Sequence, residues 1–289
     1  MELQMVRWRR LVGAILALVL GSPALAPAAP VVVTFPRPES EQDTRSRFPY
    51  LLLEQALQRS GRVYRLRYSE LRMQQGRALA RLENNQGIDI VCFMTSAERE
   101  SALLPIRIPI DKGLIGWRLF LIHKSQAGRW AGFDEPSQLK TLTAGQGSDW
   151  PDVGILRDNG FKVYGTSNYD SLFSMLQQQR IDYFPRAVSE IWYEADAYRD
   201  SLVVAPRLAL RYTTATYYFV RKGQAGLAAD IANGLDSLIA DGTYEKLFQH
   251  YYGDVIRRSG LKERRVVELS NPLLPDGIPP ERRKMLFRE

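Results

Sequence analysis

The stretch that says most about the fold is residues 217–253, YYFVRKGQAGLAADIANGLDSLIADGTYEKLFQHYYG. It opens with an apolar, aromatic run that is typical of a buried strand. Residues 225–240 then repeat apolar side chains with helical spacing, Gly242 ends that helix, and Thr243 caps the next one. The stretch therefore predicts a strand followed by two closing helices.

Upstream, short β-rich runs alternate with helical patterns, which is the arrangement of α/β units. The predicted strands are residues 31–35, 63–68, 88–94, 116–124, 142–146, 161–165, 181–184, 202–206 and 215–221. The helices predicted between them are 49–61, 74–84, 151–159, 169–179 and 187–197. Because the pattern restarts after the loop that precedes residue 116, the sequence predicts two α/β lobes.

Composition narrows the function classes. The chain has 289 residues, 45% hydrophobic and 25% charged, which is ordinary for a globular protein of about two domains. Lysine and arginine exceed aspartate and glutamate by 39 to 32, but they are scattered, so nucleic-acid binding is not favoured. One cysteine, Cys92, and two separated histidines, His123 and His250, leave little material for a zinc site, and we predict no metal and no cofactor.

Residues 1–28 have the order of a secretory signal peptide. Three arginines stand before an apolar run, Leu11–Leu20, which is followed by small residues and prolines. The apolar run is about half as long as a membrane-crossing helix requires. We therefore expect cleavage after Ala28, or after Ala26, and a soluble periplasmic protein, with an uncleaved anchor as the alternative.

Three stretches together resemble the type II periplasmic solute-binding proteins, in particular family 3, the polar amino-acid-binding proteins of ABC importers. They are residues 217–253, IDIVCFMTSAER at 88–99 and QQQRIDYF at 177–184. In 88–99 the family has a strand followed by Thr-x-x-Arg, and Ser96 and Arg99 occupy those places. The resemblance covers roughly residues 31–253.

The resemblance implies a two-lobed α/β fold, each lobe a mixed, mostly parallel sheet flanked by helices. Lobe 1 would comprise residues 31–113 plus 212–255, and lobe 2 would comprise 114–211. We expect hinge crossings near Lys112–Trp117 and Leu208–Thr214, with the ligand held in the cleft between the lobes. The tail, 256–289, is rich in proline and charge, and we expect little regular structure in it.

Arg99 is the first candidate ligand-binding residue. It follows a buried strand, and its guanidinium forms a planar fork that matches a carboxylate. Alternatively, it pairs with Glu98 or Glu100 at the surface. Thr95 and Ser96 can donate to the same anion or simply cap the turn.

The second candidate region is AGQGSDWPD at 144–152. Glycines precede a helix that we expect to be capped by Ser148 or Asp149, and the free amides of a helix start form an anion seat. In the family a Gly-Thr pair meets the ligand carboxylate here, and Gly147 and Ser148 stand in those positions. Trp150 either stacks on the ligand or fills the lobe interior.

The third candidate region departs from the family. The family places an acid for the ligand's ammonium group after the Ile-Asp strand, where this chain has Ala187 beside Arg186. Glu190 can substitute, or it is a solvated helix residue. Arg186 can instead pair with Asp182 or Glu190 within the fold. Tyr50 is a weaker candidate for an aromatic lid.

These residues favour a small anionic or zwitterionic solute, with dicarboxylates and acidic amino acids ahead of basic ones. The predicted function is capture of a carboxylate-bearing solute for ABC-type uptake by a monomer that partners a membrane permease. One alternative is a periplasmic sensor module for a membrane signalling protein. Another is an enzyme such as a cyclohexadienyl dehydratase-like lyase, although no catalytic motif supports it, and we predict no enzyme activity.

Overall fold

The computed structural model describes residues 29–133, 135–274 and 278–288. The predicted leader, 1–28, lies outside the described residues. Within the described ranges, no helix combines the length and the apolar character needed to cross a bilayer.

Twelve strands and eleven α-helices alternate along the described chain. The strands are β1 Val31–Arg37, β2 Tyr64–Arg72, β3 Ile90–Met94, β4 Leu104–Ile106, β5 Trp117–His123, β6 Thr143–Gly147, β7 Lys162–Thr166, β8 Phe184–Ala187, β9 Leu202–Val204, β10 Leu208–Arg211, β11 Thr216–Val220 and β12 Arg265–Glu268. The helices are α1 Arg47–Gln58, α2 Gln75–Glu83, α3 Ala97–Ala102, α4 Ala127–Ala131, α5 Pro136–Lys140, α6 Asp152–Asp158, α7 Tyr169–Gln177, α8 Val188–Ala197, α9 Ala225–Ala240, α10 Thr243–Ser259 and α11 Pro280–Arg283.

Each predicted strand overlaps an observed one, which confirms the α/β class. The strand predicted at 181–184 begins only at Phe184. The residues before Phe184 contact β6 instead. Asp182 donates its backbone N–H to the carbonyl of Thr143, and Tyr183 makes an isolated bridge with Ala144.

The strands form two sheet groups, which we call group A and group B. Group A contains β1 parallel to β2, and β11 between β3 and β4 with antiparallel pairing. Group B contains the order β12-β10-β5-β8, with β9 also on β5, and the parallel pair β6-β7. The pairing is mixed, as predicted, but it is not mostly parallel in the described chain, because β5 and β11 run antiparallel to every strand that they pair with.

Two short segments connect the groups. Residues 107–116 lead from β4 to β5, and residues 212–215 lead back from β10 to β11. They are hydrogen-bonded side by side, since Tyr212 donates its backbone N–H to the carbonyl of Gly116 at 3.1 Å. The expected crossing at Leu208–Thr214 therefore begins within β10. The lobe boundaries that we drew from the sequence stay a prediction.

The C-terminal segment is more regular than we expected, so the prediction of little structure in 256–289 is wrong. Helix α10 continues to Ser259, and β12 pairs in parallel with β10 in group B. Beyond it, the carbonyl of Leu273 accepts the backbone N–H of Ala97, and Ile278 is buried in the core beneath group A. Apolar side chains at 266, 267, 273 and 278 supply the packing that prolines alone did not suggest.

The segment also reaches the connecting segments between the two groups. The ring of Phe287 lies edge-on to Trp117 at a centroid distance of 6.0 Å, and its backbone N–H donates to the carbonyl of Lys112 at 2.7 Å. The C-terminal segment consequently contacts group B, group A and the first connection in turn.

Helices α1 and α9 approach closely at a glycine, which gives a test of the packing. A Cβ on Gly234 would lie 2.0 Å from the carbonyl oxygen of Ala56, whereas a Cβ on Gly226, in the same helix, would meet nothing within 4 Å. We expect Gly234→Ala to lower the free energy of unfolding by about 1–3 kcal/mol through overpacking. Gly226→Ala should leave it unchanged or raise it by up to about 1 kcal/mol. Denaturant unfolding of both variants checks the pair, and equal effects would contradict the observed packing.

Candidate functional site

A cavity of about 180 Å³ lies between the two sheet groups. Its walls come from both of them and from α10, and it is lined by aromatic rings, ion pairs and one thiol. The lining includes Phe35, Arg37, Glu39, Asp43, Arg45, Arg47, Phe48, Gln75, Cys92, Phe93, Met94, Ile110, Asp111, Arg118, Trp150, Asp152, Arg186, Glu190, Tyr193, Thr216, Tyr251 and Tyr252. A concave, largely apolar site with a few charged groups is the usual form of a small-molecule pocket.

Arg118 forms the first buried ion pair of the cavity. It projects from β5, is 2% exposed, and lies 2.6 Å from the carboxylate of Asp152 at the start of α6. The phenol of Tyr212 bonds to both side chains, and Glu190 lies 3.8 Å from the same guanidinium. Burial alone would lower the pKa of Arg118, but Asp152, Tyr212 and Glu190 raise it above its ordinary value.

Arg186 forms the second. It projects from β8, is 1% exposed, and contacts Glu194 at 2.6 Å and Glu190 at 2.9 Å. Tyr169 donates its hydroxyl to Glu194 at 2.7 Å, which completes the cluster. The two predicted residues Arg186 and Glu190 are therefore adjacent and line the cavity, but they neutralise each other. Asp182, the other partner considered for Arg186, bonds to the backbone N–H of Thr143 instead.

Arg45 forms the third, on the loop between β1 and α1. Its guanidinium bonds to Asp43 at 2.8 Å and to Glu39 at 2.9 Å. The same group lies 4.2 Å from the ring centroid of Tyr169 and 5.3 Å from that of Trp150, both of which belong to the part of the chain that forms group B. A cation over an aromatic face is attractive, so this loop is held across the cavity.

Asp111 differs from the other buried acids. It lies in the first connecting segment, is 6% exposed, and accepts the backbone N–H groups of Gly113 and Ile115 at 3.0 Å each and the hydroxyl of Thr216 at 3.1 Å. No lysine, arginine or histidine of the described residues lies within ion-pair distance of it. Burial raises the pKa of Asp111 to about 6, and the three hydrogen bonds oppose that rise.

Arg99 is buried, with 6% exposure, and does not form the surface pairs with Glu98 or Glu100 that were the alternative. Its guanidinium donates to the carbonyls of Met94 at 2.8 Å and Asp149 at 3.1 Å, and to the side chain of Gln75 at 3.2 Å. Burial lowers the pKa of Arg99 to about 10, partly opposed by the charges of Asp149 and Asp152.

Arg99 lies beside the cavity rather than on its inner surface. Gln75 and Met94, which accept its hydrogen bonds, line the cavity. Arg99 itself lines a second cleft, and Trp150 lines both. Ser96 lines that cleft too and caps α3 by accepting the backbone N–H of Arg99 at 3.2 Å. Thr95 points its hydroxyl at Glu100, so its bond is made within the fold.

The predicted cap, Ser148 or Asp149, is wrong, although the helix begins within one residue of the expected start at 151. Helix α6 begins at Asp152, with Pro151 before it and no side-chain cap. The amide of Ser148 donates to Thr166 at 3.0 Å and that of Trp150 to Gly147 at 3.0 Å, so neither is a free anion donor. This was not predictable from the local sequence, because the Ser148 amide bonds to the last residue of β7 and the Trp150 amide bonds within the turn that follows β6.

Gly147 and Trp150 fit together closely. A Cβ on Gly147 would lie 2.4 Å from the indole of Trp150, so the glycine makes room for the ring. Trp150 then lines the cavity, with its indole 5.0 Å from the guanidinium of Arg186. Tyr50 does not line the cavity and stacks on Tyr68 at a centroid distance of 4.1 Å.

Several cavity residues escaped the sequence analysis: Arg45, Asp111, Arg118 and Asp152. A charged residue inside the apolar run of β5 was a usable signal for Arg118, because a buried strand tolerates a charge only when it is paired. Asp111 carried no such signal, since it stands in a connecting segment between two elements.

Helix α8 offers a matched test of the buried cluster. Glu194 contacts buried Arg186, whereas Asp196, two residues on, pairs with Arg258 at the surface. We expect Glu194→Gln to cost about 3 kcal/mol of unfolding free energy, because it leaves a buried guanidinium underneutralised. Asp196→Asn should cost less than about 1 kcal/mol. Chemical denaturation measures both, and a Glu194 variant as stable as the Asp196 variant would contradict this account.

Comparison with known proteins gives a result only at the level of structure. No family model matches the chain, and no curated protein matches it. An ancestral arginine-binding protein bound to arginine superposes with a TM-score of 0.60 at 16% identity, covering 76% of this chain and 98% of that one.

Two natural proteins are similar to the chain at the same level. A Salmonella typhimurium periplasmic binding protein with high arginine specificity gives a TM-score of 0.59 at 14% identity, over 77% of this chain and 99% of that one. The GluR0 ligand-binding core from Nostoc punctiforme, in complex with L-glutamate, gives 0.57 at 14% identity, with the same coverage. The chain therefore has the fold of the two-lobed periplasmic binding proteins.

Proposed function

We propose that the chain captures a small carboxylate-bearing solute between its two sheet groups. The observation that carries this proposal is Arg99, a guanidinium that is 6% exposed and that has no carboxylate within ion-pair distance among the described residues. Buried charges are normally paired. The guanidinium groups of Arg45, Arg118 and Arg186 at the cavity follow this rule, since each contacts a carboxylate. An unpaired one beside a cavity is suited to a ligand anion.

The surroundings of Arg99 fit this role. Its three acceptors are neutral, two carbonyls and an amide, so the guanidinium keeps its full positive charge. Two of these acceptors come from β3 and α2, on the group A side, and the third is the carbonyl of Asp149, which follows β6 of group B. A carboxylate that displaced Gln75 would gain a charge-assisted bond at a position that both groups share.

The solute carries one carboxylate rather than two under this proposal. The preference for dicarboxylates depended on Arg186 as a second free cation, but Arg186 is neutralised by Glu190 and Glu194. Structural neighbours are described as bound to arginine and to glutamine, each of which carries a single carboxylate. Delivery to an ABC-type permease, from the periplasm and by a monomer, belongs to the same proposal.

Substitution of Arg99 tests the capture of a carboxylate. A thermal-shift screen of amino acids and organic acids first identifies compounds that stabilise the folded chain. We expect Arg99→Met to weaken binding of those compounds about tenfold to a hundredfold, because it removes a charged hydrogen-bond donor. Arg99→Lys keeps the charge without the fork and should lose less affinity.

Arg77→Met is the matched control, since Arg77 is exposed on the neighbouring helix α2. Titration calorimetry compares the variants, and circular dichroism confirms that each is folded. Unchanged affinity in Arg99→Met, or no stabilising compound in the screen, would refute the proposal.

Export makes a separate prediction. If residues 1–28 are a cleaved leader, intact-mass measurement of the protein from the periplasm of an expressing bacterium gives a chain that begins at Ala29. A full-length mass in the membrane fraction would indicate an anchor instead.

A further inference from the structure

The turn between β6 and α6 contacts the group A side of the molecule through Asp149 and Trp150. The carboxylate oxygen Oδ2 of Asp149 accepts the backbone N–H of Gly76 in α2 at 2.5 Å. The backbone carbonyl of Asp149 accepts the guanidinium of Arg99 at 3.1 Å. The guanidinium of Arg45 lies 5.3 Å from the ring centroid of Trp150. One short turn that follows a strand of group B is therefore bonded to three separate segments on the group A side.

Helix α2 has no cap of its own at its start. It begins at Gln75, and the preceding residue, Gln74, is extended and makes no capping bond with its side chain. The first N–H groups of a helix lack acceptors within that helix. Gly76 is the second residue of α2, and a capping oxygen normally bonds to the N–H of the second or third residue. The carboxylate of Asp149, 73 residues further along the chain, takes the place of the missing cap.

Charge and shape both favour this bond. The N-terminus of a helix carries a partial positive charge, which stabilises a nearby carboxylate. The first turn of α2 contains no acidic residue, so Asp149 supplies the negative charge from outside the helix. A Cβ on residue 76 would lie 3.1 Å from Oδ2 of Asp149, so the glycine gives the carboxylate room to approach the backbone. A hydrogen bond with a charged acceptor is also stronger than a neutral one.

The turn that carries Asp149 is fixed to its own side of the molecule. The backbone N–H of Ser148 donates to the carbonyl of Thr166 at 3.0 Å, and that of Trp150 donates to the carbonyl of Gly147 at 3.0 Å. The indole of Trp150 lies against the space left by the missing side chain of Gly147. Because the turn is held on β6 and β7, the bond from Asp149 to α2 connects the two sides and does not end on a loose loop.

We propose that the carboxylate of Asp149 holds the two sheet groups together by capping α2 from the opposite side. This inference goes beyond the proposed function, because it concerns the conformational equilibrium of the chain itself and is the same for every solute. Separation of the groups at this edge would break the bond between Asp149 and Gly76 and leave the Gly76 N–H without a protein acceptor. Asp149 therefore raises the fraction of molecules in which the two groups are in contact.

Amide hydrogen exchange, resolved by residue with NMR, tests the bond. We expect the Gly76 amide to be protected in the wild-type protein and to exchange about tenfold or more faster in Asp149→Ala, because a hydrogen bond to a charged acceptor is lost. Ala78 is the internal control. Its N–H donates to the carbonyl of Gln74 at 3.0 Å within the same segment, so its exchange rate should change by less than about threefold.

Small-angle X-ray scattering tests whether the bond holds the groups together or only caps the helix. We expect Asp149→Ala to increase the radius of gyration. Asp149→Asn keeps an acceptor oxygen without the charge, so its increase should be smaller. Asp158→Asn is the matched control, since Asp158 is exposed at the C-terminal end of α6, and it should leave the radius unchanged.

Each result decides the question. A Gly76 amide that exchanges freely in the wild-type protein would overturn the proposal, and this measurement does not depend on a variant's folding. An Asp149→Ala variant that is folded by circular dichroism and keeps the wild-type radius would reduce Asp149 to a local cap and would also overturn it. If the alanine variant does not fold, the same comparison is made with Asp149→Asn.

The outcomes are independent of those for the capture of a carboxylate. Neither measurement contains a solute, so a negative result leaves the role of Arg99 standing. An unchanged affinity in Arg99→Met would in turn leave the role of Asp149 standing, because the carboxylate of Asp149 bonds to Gly76 and not to Arg99.

Discussion

The arrangement of the cavity depends on one constraint: an arginine side chain that enters the interior between the two sheet groups must be compensated there. Carboxylates compensate Arg45, Arg118 and Arg186. Arg118 and Arg186 lie on the paired strands β5 and β8. Arg118 is opposite Ala187, the residue after Arg186, and Glu190 contacts both arginines. Removing charges of this size from water costs several kcal/mol per ion unless they are compensated. The positions of α6 and α8, which carry Asp152, Glu190 and Glu194, follow from that requirement.

Arg99 and Asp111 are two exceptions to this rule. Buried charges that are paired mainly fix geometry, whereas Arg99 and Asp111 are buried without an opposite charge within ion-pair distance among the described residues. Arg99 is surrounded by neutral oxygens and Asp111 by neutral donors. Each is thereby held in place by neutral hydrogen-bond partners rather than by a counterion.

The sequence predicts the features that depend on neighbouring residues and does not predict those that depend on contacts between distant residues. Strand positions were predictable because apolar runs and glycine stops act over a few residues, as in 88–94 and 217–253. The place of Arg99 after a strand suggested a ligand-facing residue, but its burial and its neutral partners were not predictable, since Gln75 and Asp149 are 24 and 50 residues away. The pairing of Arg186 with Glu194 needed the turn of α8, and β12 needed its long-range partner β10. The environment of Asp111 depends on its own turn and on Thr216 of β11, which is 105 residues away.

The C-terminal segment has a mechanical consequence. It is fastened to group B by β12, to α3 by the bond between Leu273 and Ala97, and to group A by Ile278. A hinge-like separation of the two halves would stretch the residues between β12 and Leu273. The length of these residues therefore limits how far the halves can separate. Inserting or deleting residues between β12 and Leu273 would increase or decrease that maximum separation.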